Sequence, residues 1–270
     1  MRRIVAAFIL IVSLMFGTIS VSAEGTTKQT SIDVSNVDQG IVSASFVSEA
    51  DKKGKIQIEK SGSKYIYNIN NDGITESYPL QLGDGTYKVT IFENVTGNKY
   101  RSAYSQSVDV DLANDNSVFL ASTQNVNWDD SSLAVIKARS LVKGLKTDKE
   151  KIKVIYNYVI SAAKYDYDKY KTLTSGYIPD VDTIVKSGKG ICYDYSSTFA
   201  AMLRSAGIPT KLVMGYTSNV SGYHAWNEVY DSAAGKWIVI DTTFDSQMKA
   251  AKEKYSMEKK SSLYVKSYEY

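Results

Sequence analysis

The sequence predicts an α+β chain in two parts, and three observations carry that prediction. Short runs alternating apolar and polar residues recur from Gly40 to about Leu120, separated by Gly-bearing turns. From Leu133 the apolar residues take helical spacing. After Pro209 alternation returns, so strands follow the helices. The expected organisation is a signal peptide over 1–23, a flexible leader over 24–39, a β-rich domain over 40–125 and a helix-bearing domain over 126–270.

The N-terminus has the form of a secretory signal. Arg2 and Arg3 precede an apolar run from Ile4 to Phe16, and Val21-Ser22-Ala23 supplies small residues at the cleavage point. The alternative is an uncleaved anchor. No cysteine follows the run to take a lipid, and no later run is long enough to span a membrane. Loss of the two leader arginines takes the formal charge from +3 to about +1. That balance gives no basis for binding nucleic acid or an anionic surface.

The leader is polar and rich in Thr and Ser. In the β-rich part, "GIVSASFV" alternates, and "GKIQIEKSGSKYIYNI" places two alternating runs around Ser61-Gly62-Ser63, a hairpin signal. "DGTYKVTIFENVTGNKYRSAYSQSVDVDL" repeats the pattern, with turns at Asp84-Gly85 and Thr96-Gly97-Asn98. Short strands at this spacing predict a small β-sandwich. Its tyrosines (Tyr65, Tyr67, Tyr87, Tyr100 and Tyr104) either line a binding face or cover the sandwich faces.

Two helices follow. One has its apolar face at Leu133, Ile136, Leu141 and Val142. The next opens on the capping pair Thr147 and Glu150, with Ile152, Ile155, Tyr156 and Val159 on one face. A third, with Phe199, Met202 and Leu203 inward, stops at Gly207 and Pro209. The segment from Ser246 to Ser262 is charged and reads as a solvated helix or loop before a last strand, "SLYVKSYEY". Asp194, Asp231 and Asp245 read as solvated surface charges.

The chain has one cysteine, Cys192, and one histidine, His224. A single thiol forms no internal disulfide, and one Cys with one His makes no zinc cluster of the finger or ribbon type. No metal and no cofactor is therefore assigned. Cys192 is either an inert buried residue, a nucleophile, or a crosslink between two copies of the chain. Its place favours the nucleophile: it lies at the start of a helix, where unpaired N–H groups and aligned peptide dipoles favour a thiolate. "TKLVMGY" reads as a strand, and two more strands flank the turn from Ser232 to Gly235. His224 begins the first of these and Asp241 ends the second, which brings them roughly level in an antiparallel pair. A nucleophile, a base and an orienting carboxylate then converge.

The residues Gly190-Ile191-Cys192-Tyr193-Asp194-Tyr195, Arg204-Ser205-Ala206-Gly207-Ile208-Pro209, Gly215-Tyr216, His224-Ala225-Trp226-Asn227-Glu228-Val229, Trp237 and Asp241-Thr242-Thr243 together resemble the transglutaminase-like superfamily. The resemblance covers about Lys149 to Phe244. It implies a papain-like core, a Cys-bearing helix packed on an antiparallel sheet, over the 126–270 domain. It also implies Cys192 as nucleophile, His224 as general base and acid, and Asp241 as orienting carboxylate. The family often has Pro where Thr242 stands. The implied activity is acyl transfer at amide bonds of protein or peptide through a Cys thioester, by a peptidase, an amidase or a crosslinking enzyme. The expected partner is a protein or peptide substrate, with cell-wall peptide among the candidates, outside the cell or at its surface. The Cys192 N–H is a natural oxyanion donor, and Tyr165 and Tyr167 are weak candidates for a second. The reading from another class is a non-catalytic extracellular or cell-wall binding module on the same scaffold.

Overall fold

The computed structural model describes residues 29–49 and 52–270. The expected signal peptide lies outside them. Part of the expected flexible leader is ordered as a strand: β1 (Ser31–Asp33) pairs antiparallel with β2 (Ile41–Ser45). β3 (Gly54–Lys60) and β4 (Ser63–Ile69) form the expected hairpin. Its two turn residues, Ser61 and Gly62, have φ of 50° and 86°, the left-handed pair that matches the twist of the flanking strands. β5 (Glu76–Pro79) extends the β1–β2 sheet, while β6 (Gly85–Thr96) and β7 (Lys99–Val110) extend the β3–β4 sheet in the order β4-β3-β6-β7.

The two sheets share one core. Val42, Phe46, Tyr78 and Leu80 pack against Ile56, Ile58, Val89 and Ile91, all fully buried. Alternation explains the faces: in β3, Ile56 and Ile58 point inward between the half-exposed Lys55, Gln57 and Glu59. Each such aliphatic side chain contributes about 1.5–3 kcal/mol by leaving water. The tyrosines divide. Tyr67 and Tyr87 are core, whereas Tyr104 is exposed.

The helical part begins with α1 (Leu133–Val142) and α2 (Asp148–Ala162). The buried face of α1 is Ala134, Val135 and Ala138, and Leu133 and Ile136 are exposed. Leu141 and Val142 pack on the core as expected, whereas in the first turns the inward face is shifted onto the small Ala134 and Ala138, which let α1 press closely on its neighbours. α2 has the predicted capping box and the predicted face, to which Ile160 is added. Then come β8 (Lys164–Tyr165), α3 (Tyr167–Thr172), α4 (Thr183–Ser187), β9 (Lys189–Gly190) and α5 (Cys192–Ser205). β8 and β9 form a short parallel pair just before α5.

Helix α5 is the centre of this part, buried from Asp194 to Arg204. It lies on a sheet made of β10 (Thr210–Thr217), β11 (Val220–Asp231), β12 (Lys236–Ile240), β13 (Glu258–Lys259) and β14 (Tyr264–Glu269), in the order β13-β12-β11-β10-β14. α6 (Thr242–Ala251) follows β12 directly. The fold is thus α+β, with a Cys-bearing helix on an antiparallel sheet and a sandwich before it. The segment expected to be solvated after Ser246 is partly built in: Ser246 is buried, and Lys259 pairs with the fully buried Asp245.

Arg204 of α5 joins three regions. Its fully buried guanidinium donates to the carbonyls of Thr210, Ala121 and Tyr270 at 2.9, 2.7 and 2.8 Å. With no carboxylate partner among those three, burial lowers its pKa to about 9.

Candidate active site

Cys192 is the first residue of α5, and the chain enters the helix through the extended Ile191. The approach is tight. A Cβ on Gly190 would come within 2.7 Å of Ile184 Cδ1 and 2.9 Å of Asp194 Cβ, so only glycine fits. Asp194 closes the first turn by accepting the Ile191 N–H at 2.9 Å. It also pairs with Lys169 Nζ at 2.8 Å and accepts the Tyr177 O–H.

Asp194 is therefore fully buried, not solvated as its local sequence implies. Its partners lie on α3 and the following loop, remote in sequence. Asp245 is likewise buried, held by Lys259 and by the Tyr156 O–H at 2.8 Å. Burial, the largest influence, raises its pKa despite those partners. Asp231 is a turn residue that accepts from the Ala233 and Ala234 N–H groups, both at 3.1 Å.

His224 lies within β11, opposite Gly215 of β10, rather than at the strand's start. The β11–β12 ladder ends with Asn227 opposite Ile240. Asp241 is one residue beyond, so its side chain meets His224 diagonally, not level with it. The contact is nevertheless direct: Nε2 of His224 is 2.9 Å from Asp241 Oδ2. His224 is 3% exposed and Asp241 is fully buried.

Asp241 also caps α6, its Oδ1 accepting the Phe244 N–H at 3.0 Å. Thr242 is thus the first residue of a helix, where proline is favoured but its fixed φ is dispensable. A third donor, the Tyr264 O–H of β14, reaches Oδ2 at 3.0 Å. Sequence reading missed Tyr264. The alternation in "SLYVKSYEY" signals a strand but does not mark which tyrosine meets the carboxylate.

Burial opposes charge on the His224 imidazole. Hydrogen bonding to Asp241 and to Cys192, together with their charges, overcomes it and raises the pKa to about 10. The sequence-predicted residues Cys192, His224 and Asp241 are therefore brought together, with the imidazole between the thiol and the carboxylate.

Cys192 and His224 line a cavity of about 190 Å³, walled by Tyr165, Tyr167, Tyr170 and Tyr223. Tyr165, Tyr167 and Gln247 also line a larger trough of about 820 Å³ along α6 and the end of α2. The Tyr167 O–H donates to Gln247 Oε1 at 3.1 Å, bridging the two walls.

Residues 136–242 match the family model of the transglutaminase-like superfamily, a span that contains Cys192, His224 and Asp241. The uncharacterized protein YebA of Bacillus subtilis is 32% identical over 111 residues, covering 35% of this chain and 15% of YebA. Among solved structures, a Cytophaga hutchinsonii protein described as a candidate cysteine protease is 16% identical, covers 75% of this chain and 74% of its own, and superposes with a TM-score of 0.42. The periplasmic domain of TgpA from Pseudomonas aeruginosa, bound to ethylmercury, is also 16% identical, with coverage of 76% and 72% and a TM-score of 0.39.

Proposed function

We propose that this chain, transglutaminase-like over residues 136–242, is an exported thiol enzyme that performs acyl transfer at amide bonds of protein or peptide. The observation that carries the reading is the single imidazole held between the only cysteine and a buried carboxylate, with Cys192 and His224 lining a cavity.

In the proposed reaction the Cys192 thiolate attacks the amide carbonyl carbon. The C–N bond breaks, His224 delivers its proton to the departing nitrogen, and a thioester forms on Cys192. Water or an amine then attacks the thioester, giving a proton to His224 and releasing the thiolate. Water gives hydrolysis and an amine gives a crosslink. Asp241 fixes the ring through Nε2, leaving Nδ1 for the thiol. The Cys192 N–H, at a helix start, is the proposed first oxyanion donor. Export is supported by the N-terminal signal pattern. Among the described residues, no helix is long and apolar enough to cross a membrane.

Alkylation of Cys192 by iodoacetamide tests the reading, because one thiol makes the readout unambiguous. Labelling near neutral pH is expected to be fast, and slower by about a hundredfold in His224→Ala. Labelling indifferent to His224 would sink the enzyme reading and leave a binding module.

A further inference from the structure

Asp241 is gripped by three elements. Phe244 N–H holds Oδ1 from α6, while Oδ2 is shared between His224 on β11 and Tyr264 on β14. His224 and Phe244 belong to the contiguous strand–turn–strand–helix unit that contains Asp241. Tyr264 comes from outside it, on a strand at the end of the sheet.

The phenol is built to donate in one direction. Asn219 Nδ2 donates to its oxygen at 3.3 Å, which leaves the O–H for the carboxylate. Its ring meets Trp226 edge-on at 5.1 Å, and Trp226 stacks near the His224 ring at 6.4 Å. Burial, and then the charge of Asp241, raise the phenol's pKa, so the proton stays on it. The remaining ionisable groups around the imidazole are Cys192 and the cavity tyrosines Tyr165, Tyr167, Tyr170 and Tyr223.

The backbone is shaped to bring this strand in. A Cβ on Gly215 would lie 2.1 Å from the Val265 carbonyl oxygen and 2.9 Å from Trp226 Cη2. The β10–β14 register shifts between Met214 and Gly215, a bulge of the kind that re-aims neighbouring side chains.

We propose that Tyr264 is a positioning residue for acyl transfer: its O–H fixes Asp241 Oδ2 on His224 and withdraws part of the negative charge that the imidazole meets. This rests on the reading of Cys192, His224 and Asp241 given above, and adds a residue that acts through the carboxylate.

Replacing Tyr264 by Phe keeps the ring on Trp226 and removes only the O–H. The carboxylate then becomes more basic and holds the imidazolium more tightly. The experiment is an NMR titration of the lone histidine in the mature chain and in Tyr264→Phe. The His224 midpoint is expected to rise, by about half a pH unit or more. An unchanged or lowered midpoint overturns the proposal, since a purely structural tyrosine would be mimicked by Phe. Asn219→Ala weakens the phenol's donation and is expected to move the midpoint the same way by less. It decides the matter if Tyr264→Phe does not fold. Iodoacetamide labelling of His224→Ala separately tests the acyl-transfer reading, so either idea can fail alone.

Discussion

At the scale of single residues, the charge on His224 sets the pH response. Its folded pKa, raised to about 10, stands above the ordinary 6.5, so the imidazolium persists through neutral pH. In the proposed reaction, the proton it holds is the one the leaving nitrogen takes. Amide turnover is therefore expected to fall as pH rises through about 10, read from a pH profile of kcat/KM. Stability follows the same sign. The contribution of the protonated ring is complete below about 6.5 and is lost as pH rises from there through about 10, which urea midpoints measured across that range would reveal. Much of this site was legible. Cys192 and His224 are each unique, and their places on a helix start and a strand near Asp241 follow from local pattern. What local pattern withheld was partnership: Asp194 and Asp245 look like surface charges because Lys169, Tyr177, Tyr156 and Lys259 are brought to them only by tertiary packing.

At the scale of elements, the start of α5 depends on that hidden network. Lys169 on α3 neutralises Asp194, which in turn closes the helix's first turn beside the thiol. Lys169→Met is expected to destabilise the fold by about 3 kcal/mol, since it leaves a buried carboxylate without its counter-charge. The partial exposure of the lysine, 25%, keeps the loss near the low end. A shifted urea midpoint at constant slope checks this. Helices α2 and α5 were readable because caps, glycine stops and long apolar side chains act locally. Helix α1 was half legible: Leu141 and Val142 pack on the core as expected, but in its first turns the contacts come from Ala134, Val135 and Ala138, and Leu133 and Ile136 face outward. Gly215→Ala is expected to push β14 off β10, through contact with the Val265 carbonyl and Trp226. Faster amide exchange along Tyr264–Glu269 with little change in β3 and β4 would verify it.

At the scale of the whole molecule, β14 ties the sandwich to the candidate active site. Tyr65 meets Tyr268 and Tyr270 edge-on at 5.7 and 5.9 Å, and Tyr67 meets Tyr270 at 5.9 Å. Gln81 donates both to the Tyr67 hydroxyl, at 3.0 Å, and to the Glu269 carbonyl, at 3.1 Å. The sandwich and the helical part are thus expected to unfold in one calorimetric transition, and Tyr270→Ala to resolve it into two. Alternation announced the sandwich but not this junction: it puts Tyr65 and Tyr67 on the inward face of β4 without showing that residues after the last strand help to cover that end of the core. The same strand also imposes an order in time. Tyr264 follows Cys192, His224 and Asp241 along the chain, so a ribosome makes the thiol, the imidazole and the carboxylate before the hydroxyl that completes their hydrogen bonding. A nascent chain halted before residue 264 carries the proposed nucleophile and an imidazole–carboxylate pair not yet fully held, and the full set is complete only once β14 has been synthesised and has docked.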